Sequence, residues 1–374
     1  VSLNNPTVGV DYTLWLGTTP ILPVVSGTGA AISFGLQATP GFYTVTATNS
    51  VTGCTNNMGG RDTVGLYPLP VLHTVTGGGS YCSGGAGVPV SLNGSESGVN
   101  YQLSNGGAPV GPVAHGTGGV INFGMQTLAG DYIVIATDPA TTCVDTMIDS
   151  ANVSVNPLPV DQALTGGGAY CSGGTGVSID LLSSQFGVSY QLFRGTTPVG
   201  SPVAGTGIGI TMGVQTVAGV YWVTATNTST LCSATMSMSD TISINPLPTI
   251  YNVTGGGGYC IGGTGVTVGL SNSQLGLKYR LYADGVYTGL MVAGTGSAIN
   301  FGLQVTGGVY TVQATNTTTG CQNNMAGSAT VTINPLPTAF NVTGGGGYCT
   351  GGTGTHVGLS GSAVGYTYQL MLGS

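Results

Sequence analysis

The chain has 374 residues, with only 4 Lys and Arg against 11 Asp and Glu, and a formal net charge of −7. So few cations cannot follow a phosphate backbone or hold a protein on an anionic lipid surface, which excludes nucleic-acid binding and electrostatic membrane attachment. Hydrophobic residues make up 41% of the chain, so disorder driven by charge is excluded as well. No apolar run approaches the length that crosses a bilayer, and we expect no membrane insertion in this segment.

Short runs of alternating apolar and polar residues follow one another along the chain. Between positions 68 and 156 they occur, in chain order, at 71–76, 88–92, 100–103, 110–113, 120–123, 131–137 and 151–155. Gly, Pro, Asn and Ser separate them, which is typical of β-strands joined by turns, and no segment favours a long helix. About seven short strands in this space predict an immunoglobulin-like β-sandwich.

This pattern returns every 89 residues without insertion or deletion. Pro-Leu-Pro begins at Pro68, Pro157, Pro246 and Pro335. We therefore predict three full repeats at 68–156, 157–245 and 246–334, called repeats 1, 2 and 3 below. Residues 1–67 form a partial repeat that lacks its start, and residues 335–374 form one that lacks its end. We interpret the chain as a window cut from a longer repetitive protein.

The segments between repeats and the recurring tyrosines carry two further predictions. Two prolines in three residues restrict the backbone to extended geometry, so Pro-Leu-Pro predicts a stiff linker and an array of β-sandwiches in an extended rod. A Tyr recurs near the start of a late strand, at Tyr43, Tyr132, Tyr221 and Tyr310. It either packs in the core or forms a tyrosine corner, in which the hydroxyl ties down nearby backbone.

Two cysteines per repeat, in fixed phase, predict disulfides formed outside the reducing cytosol. Three connectivities remain open. Pairing within a repeat, which we favour, joins Cys82–Cys143, Cys171–Cys232 and Cys260–Cys321, and leaves Cys54 and Cys349 to partners outside the window. Pairing across the linker joins Cys54–Cys82 and its equivalents. Pairing between adjacent repeats joins Cys82–Cys232 and its equivalents. The 28- and 61-residue spacings offer no zinc motif, and we expect no metal.

No set of residues predicts an enzyme. The three histidines fall at different phases of the repeat, and the acids do not pair systematically. Asp138, Asp145 and Asp149 cluster in repeat 1 alone and make a weak calcium candidate. Gly-Thr-Gly resembles half of a phosphate-binding loop, but no helix follows it, so it indicates a turn. We expect no catalytic residue, no cofactor-binding residue and no cofactor.

Several short patterns carry a resemblance to a known family. They are Tyr-Cys-x-Gly-Gly before the second strand, Tyr-Gln-Leu in the third, Gly-x-Tyr-x-Val-x-Ala-Thr-Asn in the sixth, and a Cys just after it. Together they resemble the tandem Ig-like or PKD-like repeats of giant cell-surface proteins of Bacteroidota, which are often exported by the type IX system. The resemblance implies an extracellular, cell-surface fibre or adhesin.

Asp followed by Ser or Thr and a small apolar residue resembles the O-glycosylation acceptor motif of secreted Bacteroidota proteins. The motif marks four candidate sites, Thr63, Thr146, Ser150 and Thr241. Covalent glycans would help to keep a surface with so few charges soluble.

These observations favour a structural component of an extracellular filament or stalk. Its expected partners are neighbouring repeats, other copies of the same chain in a fibre, and covalent glycans, with no nucleic acid. One alternative is an adhesin whose repeats bind glycans or surfaces, and its best candidate residues, in a glycine-rich loop, are Tyr81, Tyr170, Tyr259 and Tyr348. Another alternative is a spacer in a larger secreted enzyme.

Overall fold

The computed structural model describes residues 1–373, and within them the secondary structure is β-strand with no helix. The chain divides into two compact units, residues 1–158 and residues from Pro159 onward. The predicted all-β, immunoglobulin-like fold is confirmed. The division into five repeats at the positions given above stays a prediction.

The strands of the first unit fall into two sets. In the leading partial repeat they are β1 (Ser2–Leu3), β2 (Val10–Leu16), β3 (Thr19–Ser26), β4 (Ile32–Ser33), β5 (Gly41–Asn49), β6 (Thr55–Asn57) and β7 (Asp62–Val64). In repeat 1 they are β8 (Val75–Gly77), β9 (Gly79–Cys82), β10 (Val88–Leu92), β11 (Asn100–Asn105), β12 (Ala108–His115), β13 (Ile121–Gln126), β14 (Gly130–Thr137), β15 (Val144–Thr146) and β16 (Ala151–Asn156).

The strands of the second unit repeat this order. In repeat 2 they are β17 (Leu164–Gly166), β18 (Gly168–Cys171), β19 (Val177–Leu181), β20 (Val188–Arg194), β21 (Thr197–Ala204), β22 (Ile210–Gln215), β23 (Gly219–Asn227) and β24 (Ser233–Asn245). In repeat 3 they are β25 (Val253–Gly255), β26 (Gly257–Cys260), β27 (Val266–Leu270), β28 (Leu277–Ala283), β29 (Val286–Ala293), β30 (Ile299–Gln304), β31 (Gly308–Asn316), β32 (Gln322–Asn324) and β33 (Ala329–Asn334). The trailing partial repeat has β34 (Val342–Gly344) and β35 (Val357–Leu359).

Repeat 2 shows the topology of a full repeat. One sheet has the order β17-β19-β22, and the other has the order β18-β24-β23-β20-β21. All pairs are antiparallel except β18 with β24, which is parallel. Repeats 1 and 3 have the same strand order, except that β15 and β16, or β32 and β33, take the place of β24 and make the larger sheet six-stranded. A three-stranded sheet facing a five-stranded one, with the first strand divided between them, is an immunoglobulin-like sandwich.

Three consecutive glycines carry the first strand from one sheet to the other. In repeat 2 they are Gly166, Gly167 and Gly168, all with positive φ angles. A Cβ on Gly166 would lie 2.3 Å from the backbone oxygen of Ser178 on β19, so only glycine permits this approach. The bend places β17 in the smaller sheet and β18 beside the last strand of the larger one.

The core lies between the two sheets and is centred on aromatic residues. In repeat 2 the smaller sheet contributes Ile179 and Leu181, and the larger sheet contributes Tyr190, Tyr221 and Val223, all of them buried. Repeats 1 and 3 have corresponding clusters of their own. Each full repeat therefore has a separate hydrophobic core, stabilised by alternating inward-facing residues.

Candidate functional site at the joint between repeats 2 and 3

The last strand of repeat 2 ends beside a cysteine. β24 runs to Asn245, and its parallel pairing with β18 places Cys171 opposite Asn245. The N–H of Ser172 donates to the carbonyl of Asn245 at 2.9 Å, which extends the pairing by one residue. Cys171 is thus held at the point where the chain leaves repeat 2.

The chain is anchored to repeat 3 as soon as the linker ends. The side-chain amide of Asn323 donates to the carbonyl of Pro248 at 2.9 Å, and the N–H of Thr249 donates to Oε1 of Gln274 at 2.7 Å. Two residues later, the N–H of Tyr251 points at Sδ of Met325 at 3.4 Å. The segment without such anchors is therefore short, Pro246-Leu247, and in the Pro246-Leu247-Pro248 linker two of the three residues have φ restricted by a proline ring.

A buried tyrosine holds the anchoring glutamine in place. The N–H of Gln274 donates to the hydroxyl oxygen of Tyr279 at 2.8 Å, and Tyr279 is fully buried in the core. Burial raises the pKa of the Tyr279 hydroxyl above its ordinary value, while the bond from Gln274 acts in the opposite direction. The hydroxyl therefore stays neutral and fixes the loop that carries Gln274.

The same relay recurs at the start of the other full repeats. In repeat 2, the backbone N–H of Gln185 donates to the hydroxyl oxygen of Tyr190 at 2.9 Å. Its side-chain Oε1 accepts the N–H of Val160 at 2.6 Å. In repeat 1, Glu96 takes the place of the glutamine and accepts the N–H of Val71 at 3.1 Å. Each repeat thus fastens the backbone that follows its own Pro-Leu-Pro segment to its own core.

Repeat 2 has an additional fastening at the same place. The carboxylate of Asp161 accepts the N–H of Ser237 at 2.9 Å and also the Ser237 hydroxyl, which joins the segment after the linker to β24. The hydroxyl bond, followed by the N–H bond, lowers the pKa of Asp161. Charged Asp161 is therefore the form that this contact favours.

A disulfide forms a second covalent connection across this joint. Cys171 of repeat 2 is bonded to Cys321 of repeat 3, with an S–S distance of 2.02 Å, a Cα–Cα distance of 5.6 Å and a sequence separation of 150. Cys321 is fully buried in the turn between β31 and β32, where its carbonyl accepts the N–H of Asn316 at 2.8 Å. Repeats 2 and 3 are therefore joined both by the main chain and by this bridge.

The disulfide corrects the connectivity that we favoured from the sequence. The pairs Cys171–Cys232 and Cys260–Cys321 are wrong, because Cys171 is bonded to Cys321. The physical reason lies in the 13 residues of β24. Cys232 comes just before the first of them, whereas Cys171 lies beside the last, Asn245. A strand of that length spans about 40 Å, whereas a disulfide needs Cα atoms within about 7 Å.

The remaining cysteines divide into two groups. Cys82 and Cys232 are disulfide-bonded, so the predicted pair Cys82–Cys143 is also wrong, because Cys143 is a free thiol. Cys54, Cys260 and Cys349 are free thiols as well. The pairing of Cys54 and Cys349 with partners outside the window stays a prediction.

The late-strand tyrosines form tyrosine corners. The hydroxyl of Tyr221 donates to the carbonyl of Val217, four residues upstream, at 2.7 Å, although the ring itself is fully buried. Tyr43, Tyr132 and Tyr310 do the same with Thr39, Leu128 and Thr306. Core packing and the tyrosine corner, posed as alternatives from the sequence, are both present in the same residue.

The loop tyrosines proposed for binding take part in packing within their own repeats. The hydroxyl of Tyr170 donates to the carbonyl of Thr216 at 2.5 Å, and its ring is partly buried against the core. Tyr81 and Tyr259 make the same bond to Thr127 and Val305. These contacts connect the second half of the divided first strand to the turn before β14, β23 or β31. Tyr348 of the trailing partial repeat is exposed.

The candidate glycosylation sites are accessible. Thr63, Thr146, Ser150 and Thr241 are all exposed. The backbone N–H of Thr146 donates to Oδ1 of Asp145 at 2.8 Å. Their modification stays a prediction.

The weak calcium candidate is not assembled. Asp138 caps its own turn by accepting the N–H of Ala140 at 2.9 Å and the hydroxyl of Thr141 at 2.8 Å. Within residues 1–373, no three His, Cys, Asp or Glu side chains converge as a metal site. In the same part of the chain, no helix has the length and apolar character of a membrane span.

Sequence reasoning missed the residues that anchor the linker. Glu96, Gln185 and Gln274 lie at 89-residue steps, as do Met147, Met236 and Met325, whose sulfur atoms face backbone N–H groups after the linker. The signal was therefore the same periodicity that identified the cysteines. The sequence alone gives no reason to pair these Glu, Gln and Met residues with the backbone after the linker, whereas cysteines are expected to pair with one another.

Comparisons with known proteins return tandem immunoglobulin domains. No protein-family model matches the chain, and no curated protein matches it. Among solved structures, immunoglobulin domains 1–4 of Sidekick-1 are 12% identical, with 89% of this chain and 94% of that chain covered and a TM-score of 0.24.

Two more of these structures have the same character. The full Ig1–Ig3 ectodomain of mouse nectin-like molecule 4 is 10% identical over 70% of this chain and 98% of that one, with a TM-score of 0.31. The four N-terminal Ig domains of Dscam1 isoform 6.9 are 10% identical over 87% and 91%, with a TM-score of 0.20. These values carry no functional argument, and the fold rests on the strand order: the chain consists of immunoglobulin-like repeats.

Proposed function

We propose that this chain is a non-enzymatic structural segment of an extracellular, cell-surface filament or stalk, built from disulfide-bonded immunoglobulin-like repeats. The observation that carries the proposal is the Cys171–Cys321 bond between consecutive repeats. A covalent bridge between consecutive repeats limits their relative motion, which favours a load-bearing array over binding or catalytic domains that act independently.

The joint supports this proposal because it has little freedom to bend. One covalent connection permits rotation about its bonds, but two connections at separate points restrict both bending and twisting. Here the main-chain connection is a three-residue Pro-Leu-Pro segment. Before it, the last residue of β24 pairs with Cys171, and after it, the N–H of Thr249 is hydrogen-bonded within repeat 3. Repeats joined in this way favour an extended rod.

An extracellular location agrees with the oxidised cysteines. Disulfides persist in secreted and surface proteins and are rare in the reducing cytosol. Exposed Thr63, Thr146, Ser150 and Thr241 are proposed as attachment sites for O-linked glycans. Such glycans would cover a surface that has 4% charged residues and many exposed apolar side chains.

The adhesin alternative has one specific feature in its favour. Phe193 and Trp222 lie on neighbouring strands of repeat 2 and stack with ring centroids 4.5 Å apart. The positions one period earlier are Ser104 and Ile133, so this aromatic pair is not repeated. A repeated binder would need it in every repeat, and we therefore favour the filament over the adhesin. The spacer of a secreted enzyme remains the second alternative.

Electron microscopy of the oxidised chain tests the proposal. We expect extended particles with one globule per full repeat and a narrow distribution of angles between globules. The matched variant Pro246→Gly/Pro248→Gly should broaden the angle between repeats 2 and 3 only slightly while Cys171–Cys321 is intact, and strongly after reduction. Compact particles, or flexible particles under oxidising conditions, would contradict the proposal. Binding of the isolated chain to a glycan array would favour the adhesin.

A further inference from the structure

We propose that β29, the edge strand of the larger sheet in repeat 3, pairs antiparallel with β29 of a second copy of this chain. The pairing joins the larger sheets of the two copies side by side. This inference goes beyond the proposed function, because it concerns contact between chains and does not depend on the joint between repeats 2 and 3. The pairing is a property of β29 and holds whether or not the chain is part of a filament.

The equivalent edge strand contains two prolines in the leading partial repeat and in repeats 1 and 2. The strand has eight residues in each case: β3 contains Pro20 and Pro23, β12 contains Pro109 and Pro112, and β21 contains Pro198 and Pro202. Proline has no N–H to donate, so its presence on an edge prevents another chain from adding a strand there. These three edges are therefore protected against pairing with another copy.

β29 lacks this protection. Its eight residues, Val286–Ala293, read VYTGLMVA and include no proline and no charged side chain. Tyr287 and Leu290 stand at the positions of the two prolines of β12. Both side chains are exposed, as are those of Val286 and Met291, by 40% to 71%. A long, uncharged and apolar edge strand of this kind is a template for pairing with another chain.

The prolines of β12 also indicate which backbone groups of β29 are available. A proline is found in an edge strand only where the neighbouring strand does not need its N–H. The ladder with β28 therefore does not need the N–H groups of Tyr287 and Leu290. In agreement, the N–H of Leu290 donates to the hydroxyl oxygen of Thr288 in its own strand, at the long distance of 3.3 Å. Both N–H groups can donate to carbonyls of a second chain.

The nearby edge of the smaller sheet is a weaker candidate, although β30 also lacks proline and exposes Leu303. Its side chains bond its own backbone. Oδ1 of Asn300 accepts the N–H of Gly302 at 2.8 Å. The side-chain amide of Gln304 donates to the carbonyl of Phe301 at 3.0 Å and to that of Gly302 at 3.3 Å. A second chain would have to displace these bonds, so β29 is the favoured edge.

Charged residues near the two ends of β29 favour a second copy as the partner. Asp284 lies in the turn just before β29. At the other end, Lys278 and Arg280 of β28 pair with Ala293 and Met291 of β29, and they are two of the only four cations in the chain. Antiparallel pairing of two identical strands brings the acidic end of each beside the basic end of the other. Opposite charges therefore meet at both ends, with no charged residue in the strands between them.

The symmetry of this contact limits the size of the assembly. Each copy offers the same strand to the other, so the interface is isologous and closed by a two-fold axis. Among the four equivalent edge strands, β29 alone is free of proline. We therefore expect dimers and no larger assembly through this edge.

Analytical ultracentrifugation of the 374-residue chain, at up to about 1 mM because a single strand pair is a small interface, tests the proposal. Iodoacetamide first caps the free thiols, so that disulfides cannot join two copies. We expect a concentration-dependent equilibrium between monomer and dimer. Tyr287→Pro/Leu290→Pro, which gives β29 the prolines of β12, should raise the dissociation constant roughly tenfold or more. Leu303→Ser, which removes an exposed leucine from β30, should leave it unchanged.

Amide exchange of the wild-type chain locates the contact without any substitution. Between dilute and concentrated samples, we expect protection to rise at the amides of Tyr287 and Leu290 and to stay constant along β12 and β21. A chain that stays monomeric up to about 1 mM, a dimer that the two prolines leave intact, or protection that rises outside β29 alone would overturn the proposal. Straight rods that stay single would remove this inference alone, whereas flexible particles that pair through β29 would remove the proposed function alone.

Discussion

The hydroxyl oxygen of Tyr190 accepts the N–H of Gln185 at 2.9 Å, and this bond connects the core of repeat 2 to its entry segment. Tyr190 is fully buried, whereas Oε1 of Gln185 reaches the N–H of Val160 just after the linker. A tyrosine buried in the core thus fixes the position of the segment through which the chain enters the repeat. The same arrangement in repeats 1 and 3 makes the orientation of each linker a property of the repeat that follows it.

Removing the anchor should loosen the entry segment. We expect Gln185→Ala to destabilise repeat 2 by about 1 kcal/mol, the net value of one hydrogen bond, and to speed hydrogen exchange at the Val160 amide. Urea unfolding and amide exchange provide the measurements. Gln322→Ala is a matched control on an exposed glutamine of β32 and should change neither. Unchanged exchange at Val160 would contradict the anchoring role.

The tyrosine corner should contribute measurably to stability. Tyr221→Phe keeps the buried ring but removes the donor to the carbonyl of Val217, and we expect a loss of about 1–2 kcal/mol in the free energy of unfolding. Tyr287→Phe, on a partly exposed ring, controls for the loss of a hydroxyl and should have little effect. Equal effects of the two substitutions would mean that the Tyr221 hydroxyl has no stabilising role.

Alkaline pH should destabilise the repeats through their buried tyrosines. Burial raises the pKa of Tyr279, and likewise of Tyr101 and Tyr310, above the ordinary value of 10.0. Above that pH the unfolded chain loses these protons before the folded chain does, so the free energy of unfolding falls. We expect it to be insensitive to tyrosine ionisation below pH 10 and to decline above it. Tyr279→Phe should flatten this decline in repeat 3, and a slope identical to wild type would argue against burial as its cause.

Loss of the inter-repeat disulfide should lower the stability of both joined repeats. In the chain-entropy model, a bond that closes a 150-residue loop is worth about 5 kcal/mol. We expect Cys171→Ser to lower the unfolding midpoint of repeats 2 and 3 together, as followed by urea unfolding with amide exchange. Cys260→Ser, which removes a free thiol at the same phase, should leave both midpoints in place. A lower midpoint for repeat 2 alone would contradict the coupling of repeats 2 and 3 through the disulfide.

Much of the fold was open to prediction because its signals are patterns of residue types along the chain. Alternation of period two, glycine and proline at turns, and an 89-residue step in Pro, Tyr and Cys sufficed for an array of immunoglobulin-like sandwiches. Even the tyrosine corner at Tyr221 was among the alternatives, because its position at the start of a strand is visible in sequence. The anchoring role of Gln185 was not, because it depends on which loop lies beside the linker in three dimensions.

The amino-acid sequence by itself determined the period, the strands and the set of cysteines, since each is a pattern of residue types along the chain. It could not select among partners for Cys171, because spacings of 28, 61 and 150 residues satisfy the same repeat phase. Only the tertiary structure decided this: parallel pairing of β18 with β24 carries Cys171 to the exit of repeat 2, and the turn holding Cys321 stands at the entry of repeat 3. Disulfide formation depends on distances of a few ångströms, which sheet order sets and periodicity does not.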